Sequence, residues 1–289
     1  MPSLSRLAFL ARRNIRNALI RYRRLSPGAI ARDHWRASVL RREAIGPRAL
    51  EPRPERIVVT LTSIPERANL IAPALRSLID QTRAADRIIL AWPRVSLRTG
   101  QPYPEPPETP PGVDILRCDD VGPATKLLPA LLEEPGALIV VVDDDVIYPH
   151  DFIETLLEAH RSDPAAAIGY RGWRLQPGAD IRDLDHVFAT ALNRPCDVDI
   201  LFGTWGYLIP PGSLDESIHD FNGFPPEVQW VDDVWISGHL ARRGVPRRVV
   251  PARGLPLESR ANLIAALTDG PNRSGDNDRI AVAAFEPWR

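Results

Sequence analysis

The sequence predicts an α/β fold: a single doubly wound, mostly parallel sheet preceded by a basic helical extension. Three features point there. Compact apolar segments alternate with amphipathic helical ones across residues 56–160. One segment, Ala137–Val142 (ALIVVV), is apolar on both faces, as in the middle of a parallel sheet. The polar residues with chemical potential follow the strands, where such sheets collect ligands.

The extension comes first. Leu4, Leu7, Leu10, Ala11, Ile15, Ala18, Leu19, Tyr22 and Leu25 recur at helical spacing, with arginines between them. Ser26-Pro27-Gly28 stops this helix, and a second helical stretch runs from Ala29 to Ile45. Residues 1–56 hold 14 arginines against four acids, whereas the remaining residues carry a net charge of −11. Two readings fit residues 4–25: an anchor on anionic lipid, or a helix packed on the body or a partner. The acidic body argues against nucleic acid. The interleaved arginines also argue against a secretory signal.

Within the body, Arg56–Leu61 (RIVVTL) reads as a buried strand. Ser63-Ile64-Pro65-Glu66 opens a helix with the stripe Leu70, Ile71, Ala74, Leu75, Leu78 and Ile79. Arg87–Trp92 is the second strand and Val113–Arg117 the third. Between them, residues 93–112 contain seven prolines and form a long loop. A short helix over Pro123–Glu134 precedes the fourth strand, Ala137–Val142, and Pro149–His160 is helical again. Right-handed crossovers are expected between the parallel strands.

Composition bounds the function. The 289-residue chain is 44% hydrophobic and 25% charged, proportions that exclude a wholly disordered chain. No apolar run approaches the ~20 residues that span a bilayer. Cys118 and Cys196 are too few for a disulfide framework, which implies a reducing, cytoplasmic compartment. No glycine-rich phosphate loop and no GxSxG elbow is present.

Asp143-Asp144-Asp145 is the sharpest signal. Three carboxylates directly after a buried strand repel one another and call for a cation. An extended chain would put Asp143 and Asp145 on one side and Asp144 on the other. Two such carboxylates suit Mn²⁺ or Mg²⁺ that also holds phosphate oxygens. The competing reading is an acidic turn capping the next helix. Lys126 is the only lysine in the chain: either a compact ammonium matters there, facing a diphosphate or an acid of the triplet, or it is a chance survivor on an exposed helix face. Asp120 is either an acceptor for a base or ribose, or a loop residue capping a helix. Asp232-Asp233 opens a helix ending at Gly244; these acids either complement the helix dipole or aim a general base into a cleft. Tyr170-Arg171-Gly172-Trp173 and Gly203-Thr204-Trp205-Gly206-Tyr207 set aromatics beside glycines. They are sugar-stacking walls or core residues at strand ends.

With TSIPER after the first strand, VVVDDDVIYP, and VDDVWISGHLARRG, residues 56–250 resemble the GT-A-fold glycosyltransferases. The resemblance implies a GT-A-like, Rossmann-like catalytic domain over residues 56–289 behind an extension of residues 1–50. It likens Asp143-Asp144-Asp145 to the Asp-x-Asp motif, with Asp143 toward ribose or metal and Asp145 on the metal. It makes Asp233 the base of an inverting enzyme and Asp232 its support. It also implies that Thr62, Arg67 and Asp120 line a nucleotide pocket, with Lys126 and Asp144 on the donor side. Trp173, Trp205 and Gly206 are the expected acceptor contacts. The expected activity is transfer of a sugar from a nucleoside diphosphate donor to a glycan or lipid-linked acceptor. The basic extension would sit on the inner face of a membrane. The rival classes are a metal-dependent phosphohydrolase or nucleotidyltransferase, and a carbohydrate-binding protein.

Overall fold

Strand order in the main sheet places the site. A computed structural model describes residues 22–46, 53–176, 185–264, 276–286 and 288; the expected helix over residues 4–25 falls almost wholly outside them. Strands β1 (Ile57–Thr62), β2 (Arg87–Pro93), β3 (Val113–Cys118) and β4 (Leu138–Val141) are parallel neighbours in the order β3-β2-β1-β4. The chain steps outward through β2 and β3, then returns to the other side of β1. That reversal opens a crevice at the carboxyl ends of β1 and β4.

Beyond β4 the sheet continues with β11 (Tyr207–Ile209), β6 (Ala167–Gly169), β12 (Arg247–Val249) and β9 (Cys196–Asp197). Here β11 runs antiparallel to both β4 and β6, while β12 is parallel to β6. The sheet is thus mostly parallel, as expected, with an antiparallel interruption that the apolar pattern did not announce. Two small sheets flank the crevice. One joins β7 (Arg171–Arg174), β8 (Asp185–Phe188) and β10 (Ile200–Leu201); the other pairs β5 (Val146–Ile147) with β13 (Leu257–Glu258).

The helices are α1 (Pro27–Leu40), α2 (Ala72–Ile79), α3 (Leu128–Glu133), α4 (Phe152–Ser162), α5 (Asp232–Arg242) and α6 (Asp276–Ala284). Ser26 caps α1 by accepting from Ala29 N at 3.2 Å, and Pro27 occupies its first turn. Three expected helices begin later than their sequence pattern; one of them, α4, starts at Phe152 rather than Pro149. Pro65–Arg67 and Ala124–Lys126 are single 3-10 turns that precede α2 and α3. Proline lies in the first turn of both α2 and α3, where its missing N–H costs nothing.

The core lies on both faces of the main sheet and includes Trp92, Tyr148, Phe152, Tyr170 and Trp235. The α1 segment of the extension is fastened to this body. Ala37 and Leu40 pack on Ile147, and Leu255 N donates to the buried Asp33 at 2.8 Å. The Arg36 guanidinium reaches Asp80 Oδ2 at 2.7 Å, Asp80 O at 2.6 Å and Tyr148 O at 2.6 Å. Both cysteines are free thiols. No helix among the described residues is long and apolar enough to cross a membrane.

Candidate active site

A cavity of about 740 Å³ opens at the carboxyl ends of β1, β3 and β4. Thr62–Arg67, Asp120, Lys126 and Asp143–Asp145 form one wall. Arg171, Trp173, Phe202, Thr204, Asp232 and Asp233 form the other, and the proline-rich loop contributes Ser96 through Pro104 in part. Among the described residues, eight carboxylates line this space against four cationic side chains.

Lys126 joins the two walls. Its 3-10 turn carries the side chain inward, where it is 7% exposed. Nζ lies 2.8 Å from Asp143 Oδ1 and 2.9 Å from Asp232 Oδ2. Burial works against its charge, but Asp143, Asp232 and Asp233 outweigh that and hold its pKa well above the ordinary lysine value. The ammonium is therefore permanent. The lone lysine of the sequence meets an acid of the triplet, as expected, and also one of the α5 acids.

The acidic turn differs from a simple alternation. β4 ends at Val141 and the chain turns at Asp144–Asp145. Asp143 consequently faces Lys126, while Asp144 and Asp145 share Arg67 Nη1 at 2.7 and 3.2 Å. Asp144 is buried and also accepts from Ser63 Oγ. Burial, followed by repulsion from Asp143 and Asp144, raises Asp145 to about 7 despite Arg67 and Lys126. Burial raises Asp144 as well. Asp143 N donates to the phenol of the buried Tyr148 at 2.8 Å, fixing the start of the turn.

Among the described residues, no three His, Cys, Asp or Glu side chains form a ready-made metal cage. The donor set nevertheless suits Mg²⁺ or Mn²⁺: such ions take one or two carboxylates and complete their shell with water and substrate phosphate. Burial first, then the adjacent Asp143 and Asp144, keep the Asp145 pKa raised, so Arg67 and Lys126 do not fully offset the crowding of acids in this turn. Among the described residues, no histidine lines the cavity. His239 is buried against Trp235 and Phe285, and burial drives its pKa down to about 4.

At the start of α5 the two acids divide their contacts. Asp232 is buried and held by Lys126. Asp233 is half-buried, and its Oδ1 accepts from Gly203 N at 2.7 Å. Burial and the neighbouring Asp232 lift the Asp233 pKa well above the usual carboxylate value, against Lys126 and the Gly203 N–H.

Three other expected residues line the cavity with polar groups already engaged. Thr62 lines the cavity, but its hydroxyl donates to Ala91 O at 2.8 Å. Asp120 also lines it, yet accepts from Leu97 N at 2.8 Å, Gly122 N at 2.9 Å and Thr125 Oγ1 at 3.2 Å. It pins the proline-rich loop to the end of β3, the loop-capping role that the sequence left open. Trp173 stands in the wall, edge-on to Phe202 at 4.5 Å, with its indole donating to His186 at 2.9 Å.

Trp205 and Gly206 correct the expectation of acceptor contacts. Neither lines the cavity. Trp205 is 1% exposed and packs on Phe188 at 5.5 Å. Gly206 has φ +78, and a Cβ there would sit 2.6 Å from the Phe152 ring. The reversal into the antiparallel β11 turns both residues inward. Tyr207, from the same stretch, is likewise buried.

Several residues escaped the sequence reading. Gly203 is crowded: a Cβ on it would lie 2.3 Å from Lys126 Nζ. Its place in an aromatic-glycine stretch was the only hint. Ser63 and Tyr148 sit in segments already singled out, TSIPER and DDDVIYP. Asp278 on α6 lines the cavity, and burial raises it to about 6. Nothing local in the sequence marked it.

No curated protein sequence matches the chain. A mannosyltransferase from Pyrobaculum calidifontis, solved with GDP-Man and Mn²⁺, is 17% identical; the alignment covers 78% of this chain and 64% of that one, with a TM-score of 0.44. GalNAc-T7, solved with UDP, GalNAc and Mn²⁺, is 12% identical over 68% of this chain and 41% of its own, with a TM-score of 0.45. The chain thus spans less than two thirds of either structure. A family profile matches residues 57–209, from the first residue of β1 to the last of β11. With more than half its length matched, this chain belongs to glycosyl transferase family 2.

Proposed function

We propose that the protein transfers a sugar from a nucleoside diphosphate donor to an acceptor hydroxyl, with inversion, aided by Mn²⁺ or Mg²⁺. The observation that carries this reading is Lys126, which ties the acidic turn to the α5 acids inside one cavity. A pocket whose described lining holds eight carboxylates against four cations repels a naked diphosphate. A divalent ion removes that conflict, and Asp143 and Asp145 are the residues that would hold it. When bound, it supplies Lewis-acid neutralisation of the departing diphosphate.

The protein's own groups do the remainder. Lys126 keeps a buried positive charge beside the diphosphate. Arg67 offsets Asp144 and Asp145 and keeps the turn folded. Thr62 and Asp120 shape the donor wall. Trp173 offers the acceptor an aromatic face. Asp233, with one oxygen fixed by Gly203 N, receives the acceptor proton as that hydroxyl bonds to the anomeric carbon. The bond from that carbon to the diphosphate oxygen breaks on the opposite side, and the nucleoside diphosphate leaves. Asp232 supports Asp233 by holding Lys126 near it. The loop 93–112, which already lines the cavity, excludes water from the donor.

The proposed setting is the cytoplasmic face of a membrane, with residues 4–25 on anionic lipid and a glycan or lipid-linked acceptor. The arginine excess of residues 1–56 supports it. The test is thermal stability across a panel of nucleoside diphosphates, with and without Mn²⁺. Stabilisation by one diphosphate only when Mn²⁺ is present is the expected result. Equal stabilisation by the diphosphate alone would overturn the metal-bridged reading.

A further inference from the structure

The extension offers a second surface. On α1, Asp33, Ala37 and Leu40 face the body and are buried. The opposite side holds Trp35, which is 69% exposed; Arg32, one turn before it, is exposed and pairs with Asp33 at 3.3 Å, and the exposed Arg41, Arg42 and Glu43 follow the helix end at Leu40. Among the described residues only one other aromatic side chain is comparably bare: Tyr22, 42% exposed, just ahead of the α1 cap. Among the described residues the exposed aromatics are therefore gathered on one short, arginine-rich segment, while the body behind it is acidic. No α1 residue lines the active-site cavity, so this face is not an acceptor subsite.

We infer that the outward face of α1 is a docking surface for an anionic lipid bilayer. Charge complementarity selects the occupant. The exposed arginines meet anionic headgroups, whereas the acidic body is repelled and held above them. An indole belongs at the boundary between headgroups and acyl chains, where its ring is buried and its N–H stays wet. The inner face is already anchored by Arg36 and Asp33. The helix therefore meets the membrane as a preformed rib and pays no ordering entropy there. This deepens the membrane setting proposed above and shifts the contact from residues 4–25 to a helix fixed to the catalytic body. It orients that body, because α1 also packs against β5, the strand following the acidic turn.

The test is co-sedimentation of the full chain with vesicles of phosphatidylcholine, alone or mixed with phosphatidylglycerol. Binding only to the mixed vesicles is expected, weakening as salt rises. Trp35→Ala lowers the partition coefficient about tenfold. The paired change Arg41→Glu/Arg42→Glu lowers it by at least about tenfold. Both leave thermal stability and transfer to a water-soluble acceptor unchanged, since these side chains are exposed and distant from the cavity. Wild-type binding by both variants overturns the inference. Should they bind normally while Arg12→Glu/Arg13→Glu/Arg16→Glu abolishes sedimentation, the contact belongs to residues 4–25; the earlier setting then stands and this one fails. Equal binding to phosphatidylcholine alone, or capture by RNA but not vesicles, also overturns it.

Discussion

Replacing Gly203 with alanine adds a single methyl group between two wall residues of the cavity, against Lys126 and Asp143. Its Cβ would lie 2.3 Å from Lys126 Nζ, 3.1 Å from Lys126 Cε and 3.3 Å from Asp143 Oδ1. Gly203 is not among the positive-φ glycines, so alanine adopts its backbone without strain and the effect is purely steric. Contact normally begins near about 3.5 Å, so Nζ must retreat by about 1 Å. A lysine tip usually swings aside at little cost. This one is held at 2.8 Å by Asp143 and 2.9 Å by Asp232, and it is buried. Outright loss of one partner of a buried pair costs about 3–5 kcal/mol. Displacement into a water-accessible cavity recovers part of that, leaving about 1–2 kcal/mol of destabilisation. Turnover suffers more, since the displaced ammonium no longer sits where leaving-group charge grows. A fall in kcat of about 10²–10³ is expected, by analogy with removal of one preorganised donor. The assay is initial-rate nucleoside diphosphate release, paired with urea unfolding. Gly136→Ala is the control, because its Cβ meets nothing within 4 Å. If Gly203→Ala turns over like wild type, Lys126 does not act from the position seen here and the account of the cavity fails.

Asp233→Asn should cut kcat by about 10²–10⁴ while calorimetric donor affinity is retained; lost affinity with unchanged turnover would remove Asp233 from base duty. Because its folded pKa is raised, the wild-type rate should climb with pH on the acid limb as Asp233 ionises, and Asp233→Asn should flatten that limb. Asp145 titrates near 3.8 when unfolded and about 7 when folded without a metal ion, so the folded state binds the extra proton between those values. Its stability penalty therefore grows as pH rises through that window and is complete above it. Asp145→Asn should raise the metal-free Tm relative to wild type, more at the alkaline end than at the acid end, and abolish the Mn²⁺-dependent shift. An equal Tm difference at both ends would contradict the assigned repulsion. Arg36→Ala removes the contacts to Asp80 and Tyr148 O and should cost about 3 kcal/mol in urea unfolding. Because Tyr148 holds Asp143 N, it should also raise the Mn²⁺ concentration for half-maximal rate. Arg36→Lys should restore part of both, and an unchanged Mn²⁺ dependence would confine Arg36 to stability.

Local pattern determined much of this protein. Runs such as RIVVTL and ALIVVV have no low-energy place except inside a sheet, so β1 and β4 were legible from composition alone. The acids at the start of α5 were legible too, since a helix N-terminus favours negative charge and Gly244 closes the pattern. The Asp triplet advertised itself because three adjacent carboxylates after a buried strand are costly without a purpose. Tertiary structure decided which charge meets which. A tight turn, not an extended strand, sent Asp143 to Lys126 and left Asp144 and Asp145 to Arg67. An antiparallel β11 turned Trp205 and Gly206 into the core, although their sequence neighbourhood matched that of the wall residue Trp173. Residues far apart in the chain, Lys126 and Asp232, became partners only when a 3-10 turn and the first turn of α5 met over the same crevice. Periodicity records which side of an element is buried. Pairing between charges depends on turn dihedrals and long-range strand order, which no short window of sequence contains.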